Sequence, residues 1–357
     1  MKGHNTESLH RLPAEWEAQS AILMAWPHTD TDWAYMLAEV QDCYEAIIRA
    51  MKQPGLHILL AGPDLSEART RLGDLEAHSE SDSGIIFVEV PTNDTWTRDF
   101  GPLTCVAANG EYILNDFKFN GWGLKFAADR DNLVTRKLFD NKAFDFLLNG
   151  KTTYHNRLNF VLEGGSIESD GCGTLMTTSR CLLSPNRNGA SDKHEIEDFI
   201  IKALGAQRLL WVDHGELAGD DTDAHIDTLA RLAPEDTIIY CGCDIPEDEH
   251  YQPLTAMAQQ LATFRTLQGL PYNLIELPLP DPIYDEDGNR LPATYANYLV
   301  TPHKILMPTY GQTKKDSLAM QMLRIVFHDR DVVGVDCRAL IRQHGSLHCA
   351  TMQLPKV

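Results

Sequence analysis

Compared with its acidic residues, the sequence has few basic ones. It contains 31 Lys and Arg against 51 Asp and Glu in 357 residues, a formal net charge of −20. A polyanionic partner is bound through positive charge, so this balance argues against DNA, RNA or an anionic membrane surface as a partner. It is compatible with a cationic substrate, although acidic charge also serves solubility alone.

Long hydrophobic runs are lacking as well. No stretch approaches the roughly 20 apolar residues that a membrane span needs. Residues Met1 to Ser8 carry no apolar core of a secretory signal. We therefore expect a soluble protein of the cytoplasm.

Paired cysteine spacings are absent too. The eight cysteines are Cys43, Cys105, Cys172, Cys181, Cys241, Cys243, Cys337 and Cys349. None forms a CxxC pair, and no Cys or His spacing fits a zinc site. The expectation is free thiols in a reducing compartment, several of them buried, with no metal and no organic cofactor.

Linkers and low-complexity segments are missing. The chain is long enough for one large or two medium domains. Its most linker-like stretch, residues 279–289, reads as a surface loop and is too short to separate domains. We therefore expect residues 1–357 to form a single catalytic domain.

What the sequence does contain is many short apolar runs. They predict strands at residues 21–26, 57–61, 85–90, 112–117, 175–178, 209–212, 237–241, 274–277, 296–300, 304–307 and 332–335. Amphipathic patterns predict helices over residues 33–51, 192–204, 251–267 and 314–326. In a doubly wound α/β fold the two kinds of element alternate. An excess of strands instead favours a repeated ββαβ unit, although no sequence repeat is legible.

The most informative residue is Cys349, eight residues before the C-terminus in the segment HGSLHCATMQ. A cysteine in such a place is most often a small buried hydrophobe. Here the surroundings are polar, which also suits a nucleophile. The adjacent His348 would point to the opposite face of a strand, so a base for Cys349 has to come from elsewhere.

The candidate base is His225, in the acidic segment Asp220–Asp227. One interpretation is a solvated loop, and a second is a metal site of Asp223, His225 and Asp227. In the third, His225 is a general acid/base and Asp227, two residues on and on the same face of an extended chain, holds a cation.

Two further clusters supply carboxylates. Asp94 follows the predicted strand 85–90 as an unpaired acid, while Arg98 and Asp99 are expected to pair with each other. Glu163 precedes two glycines, which allow close backbone approach or simply form a turn. A glutamate held there could accept a hydrogen bond from an imidazole and orient it.

Together these clusters resemble the agmatine deiminase family, which groups with the Porphyromonas-type peptidylarginine deiminases among the guanidine-modifying enzymes. The resemblance runs from about Trp16 to Pro355. The matching segments are Asn93–Pro102 (NDTWTRDFGP), Phe117–Gly123 (FKFNGWG), Leu162–Ile167 (LEGGSI), Thr177–Asn188 (TTSRCLLSPNRN), Asp221–Arg231 (DTDAHIDTLAR) and Leu347–Gln353 (LHCATMQ). It implies an α/β pentein fold of five ββαβ modules around a pseudo-fivefold axis.

The resemblance also implies roles for five residues. Cys349 is expected to be the nucleophile, His225 the general acid/base, and Glu163 the carboxylate that supports the histidine. Asp94 and Asp227 are expected to clasp the guanidinium, since carboxylates bind its planar fork of donors bidentately.

Two segments depart from the agmatine deiminase pattern. The family's GGGN before the nucleophile is replaced by His344–Leu347 (HGSL), and its RPDNWR by residues 28–33 (HTDTDW). The catalytic set is intact, but the rim of the pocket differs. Trp122 is expected either to pack on the aliphatic tail of the substrate or to belong to the core.

The sequence therefore predicts an agmatine deiminase, which hydrolyses agmatine to N-carbamoylputrescine and ammonia on the way to putrescine. A peptidylarginine deiminase and, less favoured, an amidinotransferase remain alternatives. The expected partner is a small guanidinium cation, without nucleic acid or membrane, and a homo-oligomer is compatible with the sequence.

Overall fold

A computed structural model of the protein describes residues 10–77, 82–147 and 152–356. The strands among them are β1 His10–Arg11, β2 Gln19–Ala25, β3 His57–Gly62, β4 Gly84–Glu89, β5 Leu103–Ala107, β6 Tyr112–Lys118, β7 Thr152–Val161, β8 Glu168–Ser169, β9 Thr174–Thr178, β10 Arg208–Val212, β11 Ala230–Ala233, β12 Thr237–Gly242, β13 Asn273–Pro278, β14 Leu299–Val300, β15 Lys304–Thr309, β16 Asp331–Asp336 and β17 Met352–Pro355.

Helices lie between most of these strands. They are α1 Leu37–Met51, α2 Ser66–Leu72, α3 Thr97–Phe100, α4 Gly121–Leu124, α5 Val134–Asp140, α6 Ala143–Leu147, α7 Ser179–Leu182, α8 Pro185–Asn188, α9 Lys193–Leu204, α10 Tyr251–Leu261 and α11 Thr313–Val326. Short 3-10 helices cover Ala34–Met36, Gly73–Leu75, Asp131–Leu133, Gly164–Ser166, Ile226–Thr228 and Leu340–Gln343. None of the helices in the described ranges is both long and apolar enough to cross a membrane.

The strands pair into five small sheets. Their orders are β17-β2-β3-β4, β1-β5-β6-β7, β10-β9-β8, β11-β12-β13 and β14-β15-β16. In each sheet a central strand pairs antiparallel with one neighbour and parallel with another, as β12 does with β11 and β13. The parallel partner follows through a helix, so four consecutive stretches of chain and one split stretch have the predicted order ββαβ.

The split unit joins the two ends of the chain. Its first strand is the C-terminal β17, which pairs antiparallel with β2 near the N-terminus. All seven residues of β2 are buried, as expected of a strand covered on both faces. This pairing brings the segment that precedes β17, and with it Cys349, beside the first unit.

Each of the eleven predicted strands overlaps an observed one. The prediction at 296–300 is reduced to the two residues of β14, because Asn297 turns its side chain into the site described below. Six strands were not predicted: β1, β5, β7, β8, β11 and β17. Among these, β7 carries polar side chains on a largely half-buried strand, so it lacks the apolar run that marks the others.

The predicted helices are found with two corrections at their ends. The helix expected at 33–51 begins at Leu37, because the buried Trp33 turns inward to donate its Nε1 hydrogen to Thr95 Oγ1 at 3.0 Å. The helix expected at 251–267 ends at Leu261, because the chain turns back where Thr266 N donates to Leu270 O at 2.7 Å.

Five segments connect the last strand of one unit to the first strand of the next. They are residues 90–102, 162–167, 213–229, 279–298 and 337–351. The polar clusters around Asp94, Glu163, His225 and Cys349 lie in four of these connections. The repeated topology thus collects residues that are far apart in sequence.

Candidate active site

Cys349 lies at the bottom of a pocket and is only 5% exposed. Asn297, from the connection 279–298, holds it in place. Its Nδ2 lies 3.3 Å from the Cys349 Sγ, and its Oδ1 accepts from the backbone N–H of His348 at 2.9 Å and of Cys349 at 3.3 Å. Sequence reasoning missed Asn297, because it sits in an apolar run that reads as a strand.

The surroundings of Cys349 favour the thiol over the thiolate. Burial, followed by the carboxylates of Asp227 and Asp99, raises the pKa of Cys349 well above its usual range. The Sγ atom lies 3.9 Å from Asp227 Oδ2. A cation placed between these groups would reverse the effect, since it would stabilise the thiolate.

His225 is fully buried and faces acids. Its Nδ1 lies 3.6 Å from Asp99 Oδ1, and neither ring nitrogen has a hydrogen-bond partner within the described ranges. Burial acts to lower the pKa of His225, but the neighbouring Asp99 and Cys181 outweigh it and raise that pKa well above the usual value. The imidazolium is therefore the resting form near neutral pH, and it can donate a proton.

Glu163 is adjacent to His225 but does not make the expected hydrogen bond to it. Both carboxylate oxygens of Glu163 instead accept from Arg187 Nε, at 2.9 and 3.0 Å. Both side chains of this ion pair are fully buried. Glu163 acts on His225 through charge, and Arg187 decides its orientation.

The proposed metal ligands Asp223, His225 and Asp227 do not converge. The Asp223 carboxylate is held by Arg187 Nη1 at 2.6 Å and Lys125 Nζ at 2.8 Å. This segment therefore presents His225 and Asp227 inward while Asp223 is taken up by two cations.

Two other groups have ligand-type atoms within 4.8 Å of one another: Glu163, Cys181 and His225, and Glu15, Glu168 and His348. In the first group Arg187 already pairs with the carboxylate. In the second, Arg231 pairs with both glutamates, at 2.8 and 2.5 Å. A guanidinium thus fills the place that a metal cation would take in each.

The expected pair of Arg98 and Asp99 is not formed. Residues 97–100 form a helical turn, so neighbouring side chains diverge. Arg98 donates to Gln353 Oε1 at 2.6 Å. Asp99 turns to the opposite side, where its Oδ2 accepts from Trp122 Nε1 at 2.9 Å and its Oδ1 from the backbone N–H of Gly165 at 3.0 Å.

Gly165 marks the point on which the functional groups converge. A Cβ atom added to it would lie 2.7 Å from His225 Nδ1, 2.9 Å from Asp99 Oδ1 and 3.1 Å from Asp227 Oδ2. The same addition at Gly164 would clash with the carbonyl oxygen of Arg98. The close backbone approach predicted for this glycine pair is confirmed.

Asp227 is fully buried, and its two carboxylate oxygens differ in their hydrogen bonding. Oδ2 lies 2.7 Å from His348 Nδ1, whereas the buried Oδ1 has no hydrogen-bond partner within the described ranges. Burial acts to raise the pKa of Asp227, but the hydrogen bond and charge of His348 lower it below the usual value. Asp227 is therefore ionised, with one oxygen available to a ligand.

Asp94 lies on the pocket wall, and not beside His225. Its Oδ1 accepts from the backbone N–H of Thr95 at 2.8 Å. Burial and the nearby acids Asp131 and Asp32 raise the pKa of Asp94 to about 8. Of the two acids in this connection, Asp99 is the one next to Asp227, and a pKa of about 8 favours the protonated form of Asp94 near neutral pH.

The pocket above these groups has a volume of about 380 Å³, part of it open to solvent. Its lining residues are Asp32, Asp94, Trp96, Asp99, Trp122, Phe126, Asp221, Thr222, Gln343, His344, Gly345 and Cys349. Trp122 belongs to this wall, with its indole N–H held by Asp99. Four lining residues are acids and none is a lysine or arginine.

Comparison with known proteins agrees with this geometry. The sequence matches the Porphyromonas-type peptidyl-arginine deiminase family over residues 11–355. A protein of Marinomonas sp. (strain MWYL1), provisionally named an agmatine deiminase, is 32% identical, with 97% of this chain and 94% of that protein covered.

Two solved structures are similar over nearly the whole chain. The structure of C. jejuni agmatine deiminase with substrate bound has a TM-score of 0.89 at 34% identity, covering 100% of this chain and 99% of the other. A structure from Porphyromonas gingivalis, provisionally named an arginine deiminase, has a TM-score of 0.86 at 45% identity, covering 97% and 98%. They confirm the α/β pentein fold.

Proposed function

This chain belongs to the Porphyromonas-type peptidyl-arginine deiminase family, and we propose that it hydrolyses a guanidine through a covalent Cys349 intermediate. The observation that carries the proposal is the meeting of an imidazole and two carboxylates around Gly165, with the buried Cys349 thiol 3.9 Å from one of these carboxylates, beneath an acidic pocket. We further propose agmatine as the substrate and the cytoplasm as the location. A reducing cytoplasm suits the cysteines, which are all free thiols.

The substrate guanidinium would lie between Asp227 and Asp99. Its planar N–H donors match carboxylate oxygens, and Asp227 Oδ1 is an unused acceptor. The bound cation offsets the two negative charges that raise the pKa of Cys349. Substrate binding itself therefore favours the thiolate that attacks the central carbon.

The reaction then proceeds in two halves. As the cation binds, the Cys349 thiol loses its proton to solvent, and the thiolate adds to the guanidinium carbon to give a tetrahedral adduct. His225 donates its proton to one amino nitrogen, the C–N bond breaks, ammonia leaves, and an S-alkylthiouronium remains on the enzyme. Neutral His225 next takes a proton from water as the oxygen adds to the same carbon. Cleavage of the C–S bond, with loss of the hydroxyl proton to solvent, then gives a substituted urea and the thiolate.

The pocket rim supports agmatine. Asp221 and Asp32 line it, and agmatine ends in a primary ammonium that such acids attract. Free arginine carries an additional α-carboxylate, which would meet like charge without a cationic partner among the lining residues. The substrate-bound C. jejuni relative, covered along its whole length, adds support.

Peptidylarginine remains the second candidate. The specific observation in its favour is a solved structure provisionally named a peptidyl-arginine deiminase, which is more similar in sequence, at 43%, than the C. jejuni enzyme at 34%. At the rim of the pocket, His344–Leu347 (HGSL) also replace the GGGN of the agmatine deiminase pattern. This difference is compatible with a substrate whose tail is not that of agmatine.

Ammonia release from agmatine, free arginine and arginine peptides decides between these substrates. We expect kcat/KM for agmatine to exceed that for the others by at least about tenfold, since an unpartnered carboxylate costs several kcal/mol to bury. A tenfold preference for a peptide would replace agmatine by peptidylarginine. Transfer of the amidino group to an added amine, in place of urea formation, would indicate an amidinotransferase.

A further inference from the structure

His348 is buried behind Asp227, on the side away from the pocket. Its Nδ1 lies 2.7 Å from Asp227 Oδ2, and its Nε2 lies 2.7 Å from Glu15 Oε2. Arg231 Nη2 lies 3.1 Å from the same Nε2. The ring thus bridges two buried carboxylates, one at each nitrogen.

Glu15 is ionised together with Asp227. Its Oε2 also accepts from Arg231 Nη2 at 2.8 Å, and its Oε1 from the backbone N–H of Val300 at 2.7 Å. Although burial acts in the opposite direction, His348 and Arg231 hold the pKa of Glu15 well below its usual range. His348 thus contacts two buried carboxylates, each at 2.7 Å.

Acidic and basic groups are matched in number behind Asp227. The acids are Asp227, Glu15 and Glu168, and the bases are His348, Arg231 and Arg98. The groups that face Asp227 from the pocket side are His225, Asp99 and Cys349. Removal of His348 would leave three buried acids against two guanidinium groups and would take away the hydrogen bond to Asp227 Oδ2. Proton uptake by a carboxyl group is then the least costly response.

We propose that His348 and Glu15 are positioning residues that keep Asp227 ionised and turned so that Oδ1 faces the guanidinium. The inference rests on the proposed function in one respect, that Asp227 binds a guanidinium. His348 occupies Oδ2 and leaves Oδ1 unpaired. Glu15, more than 200 residues away in sequence, contacts the ring of His348 and reaches Asp227 through it.

The test measures binding of butylguanidine, a guanidinium without a charged tail, by calorimetry from about pH 3 to pH 9. Cys349→Ala serves as the parent, so that no covalent reaction intervenes. His348→Gln and Glu15→Gln are added to it. Asp227 binds only when ionised, so a raised Asp227 pKa moves the loss of binding on the acid side to higher pH. The pKa of Asp227 starts below its usual value, so this acid limb lies at low pH. We expect it to move up by about one pH unit, and affinity at the acid end of the range to fall about tenfold.

Thr351→Val is the matched control. Its hydroxyl donates to the His348 carbonyl at 2.9 Å, in the same segment but without contact to Asp227. We expect its acid limb to coincide with that of the parent. The double variant Glu15→Gln/His348→Gln should shift the limb no further than His348→Gln alone, because Glu15 acts through His348.

An unchanged acid limb in both single variants would overturn the inference, as would additive shifts or a parent that does not bind butylguanidine. If His348→Gln lowers the melting temperature too far to be studied, Glu15→Gln decides, because its amide retains an acceptor for Val300. Failure of the wild type to hydrolyse agmatine would refute the proposed substrate but leave this binding test intact.

Discussion

The thiol of Cys349 and the carboxylate of Asp227 are direct neighbours, with 3.9 Å between Sγ and Oδ2. The nucleophile and one arm of the proposed guanidinium clasp are thus adjacent before any substrate is bound. The negative carboxylate keeps the nucleophile protonated until a cation arrives. Such an arrangement ties activation of the thiol to binding of the cation, which limits its reaction with other electrophiles.

Replacing Cys349 by serine should abolish turnover while the protein remains folded. A hydroxyl near neutral pH is a far poorer nucleophile than a thiolate, so we expect a loss of at least about a thousandfold in kcat. The measurement is ammonia release from agmatine, with the melting temperature as the check on folding. The exposed Cys172 offers a control, since Cys172→Ser should retain activity. A Cys349→Ser enzyme within tenfold of the wild type would remove Cys349 from the mechanism.

Asp99 should matter more for activity than Asp94. Asp99 lies 3.6 Å from His225 and close to Asp227, whereas Asp94 is already neutral near pH 7. We expect Asp99→Asn to lower kcat/KM for agmatine by about a hundredfold or more and Asp94→Asn by clearly less, because only the first loses a charge-assisted bond to the guanidinium. The reverse order of the two losses would restore Asp94 as the clasp.

Asp94→Asn should stabilise the protein at alkaline pH. The folded pKa of Asp94 is about 8, above its unfolded value of 3.8. The folded state therefore holds this proton more tightly, and stability falls as pH rises from about 4 through 8. Asparagine removes that loss. We expect thermal unfolding to show a gain in the free energy of unfolding at pH 9, up to several kcal/mol, and little at pH 4. A gain independent of pH would show that the charge of Asp94 is not its cause.

Gly165 should not tolerate a side chain. An alanine methyl would lie 2.7 Å from His225 Nδ1 and 2.9 Å from Asp99 Oδ1, so both groups must move. We expect Gly165→Ala to lower kcat by about a hundredfold or more, since small displacements of reacting groups are costly. Gly73→Ala is a useful comparison, because Gly73 has a helical φ of −61° and an added carbon there meets no atom within 4 Å. Full activity of Gly165→Ala would contradict the convergence of groups on this residue.

Activity should survive exhaustive treatment with EDTA. Arg187 already occupies the carboxylate of one potential ligand group, and Arg231 those of the other. Assays before and after chelation, with added Mg²⁺, Mn²⁺ or Zn²⁺, provide the measurement. Loss of activity that a single divalent ion restores would favour metal-assisted hydrolysis instead.

Much of the site could be predicted from local sequence. Cys349, His225, Glu163 and Asp227 lie in dense polar motifs, and the structure brings all four together. Gly164 and Gly165 next to Glu163 also indicated the close backbone approach that is found. These features can be read locally, because the side chains that react and the glycines that allow close backbone approach are part of the motif itself.

Other features depended on contacts that no local pattern reveals. Arg98 and Asp99 look like a pair in sequence, yet a single helical turn sends them to opposite sides. Asn297 is hidden in an apolar run. Glu163 binds Arg187 rather than His225. A buried carboxylate is stabilised best by a charged guanidinium that donates hydrogen bonds to it.

The sequence by itself determined most strands and helices, the acidic balance of the chain, and the chemical groups available for the reaction. Apolar periodicity and residue type decide these locally. Only the tertiary structure decided which groups meet. The five inter-unit connections bring together residues as distant as Arg98 and Cys349, and burial then sets the charge that each group carries.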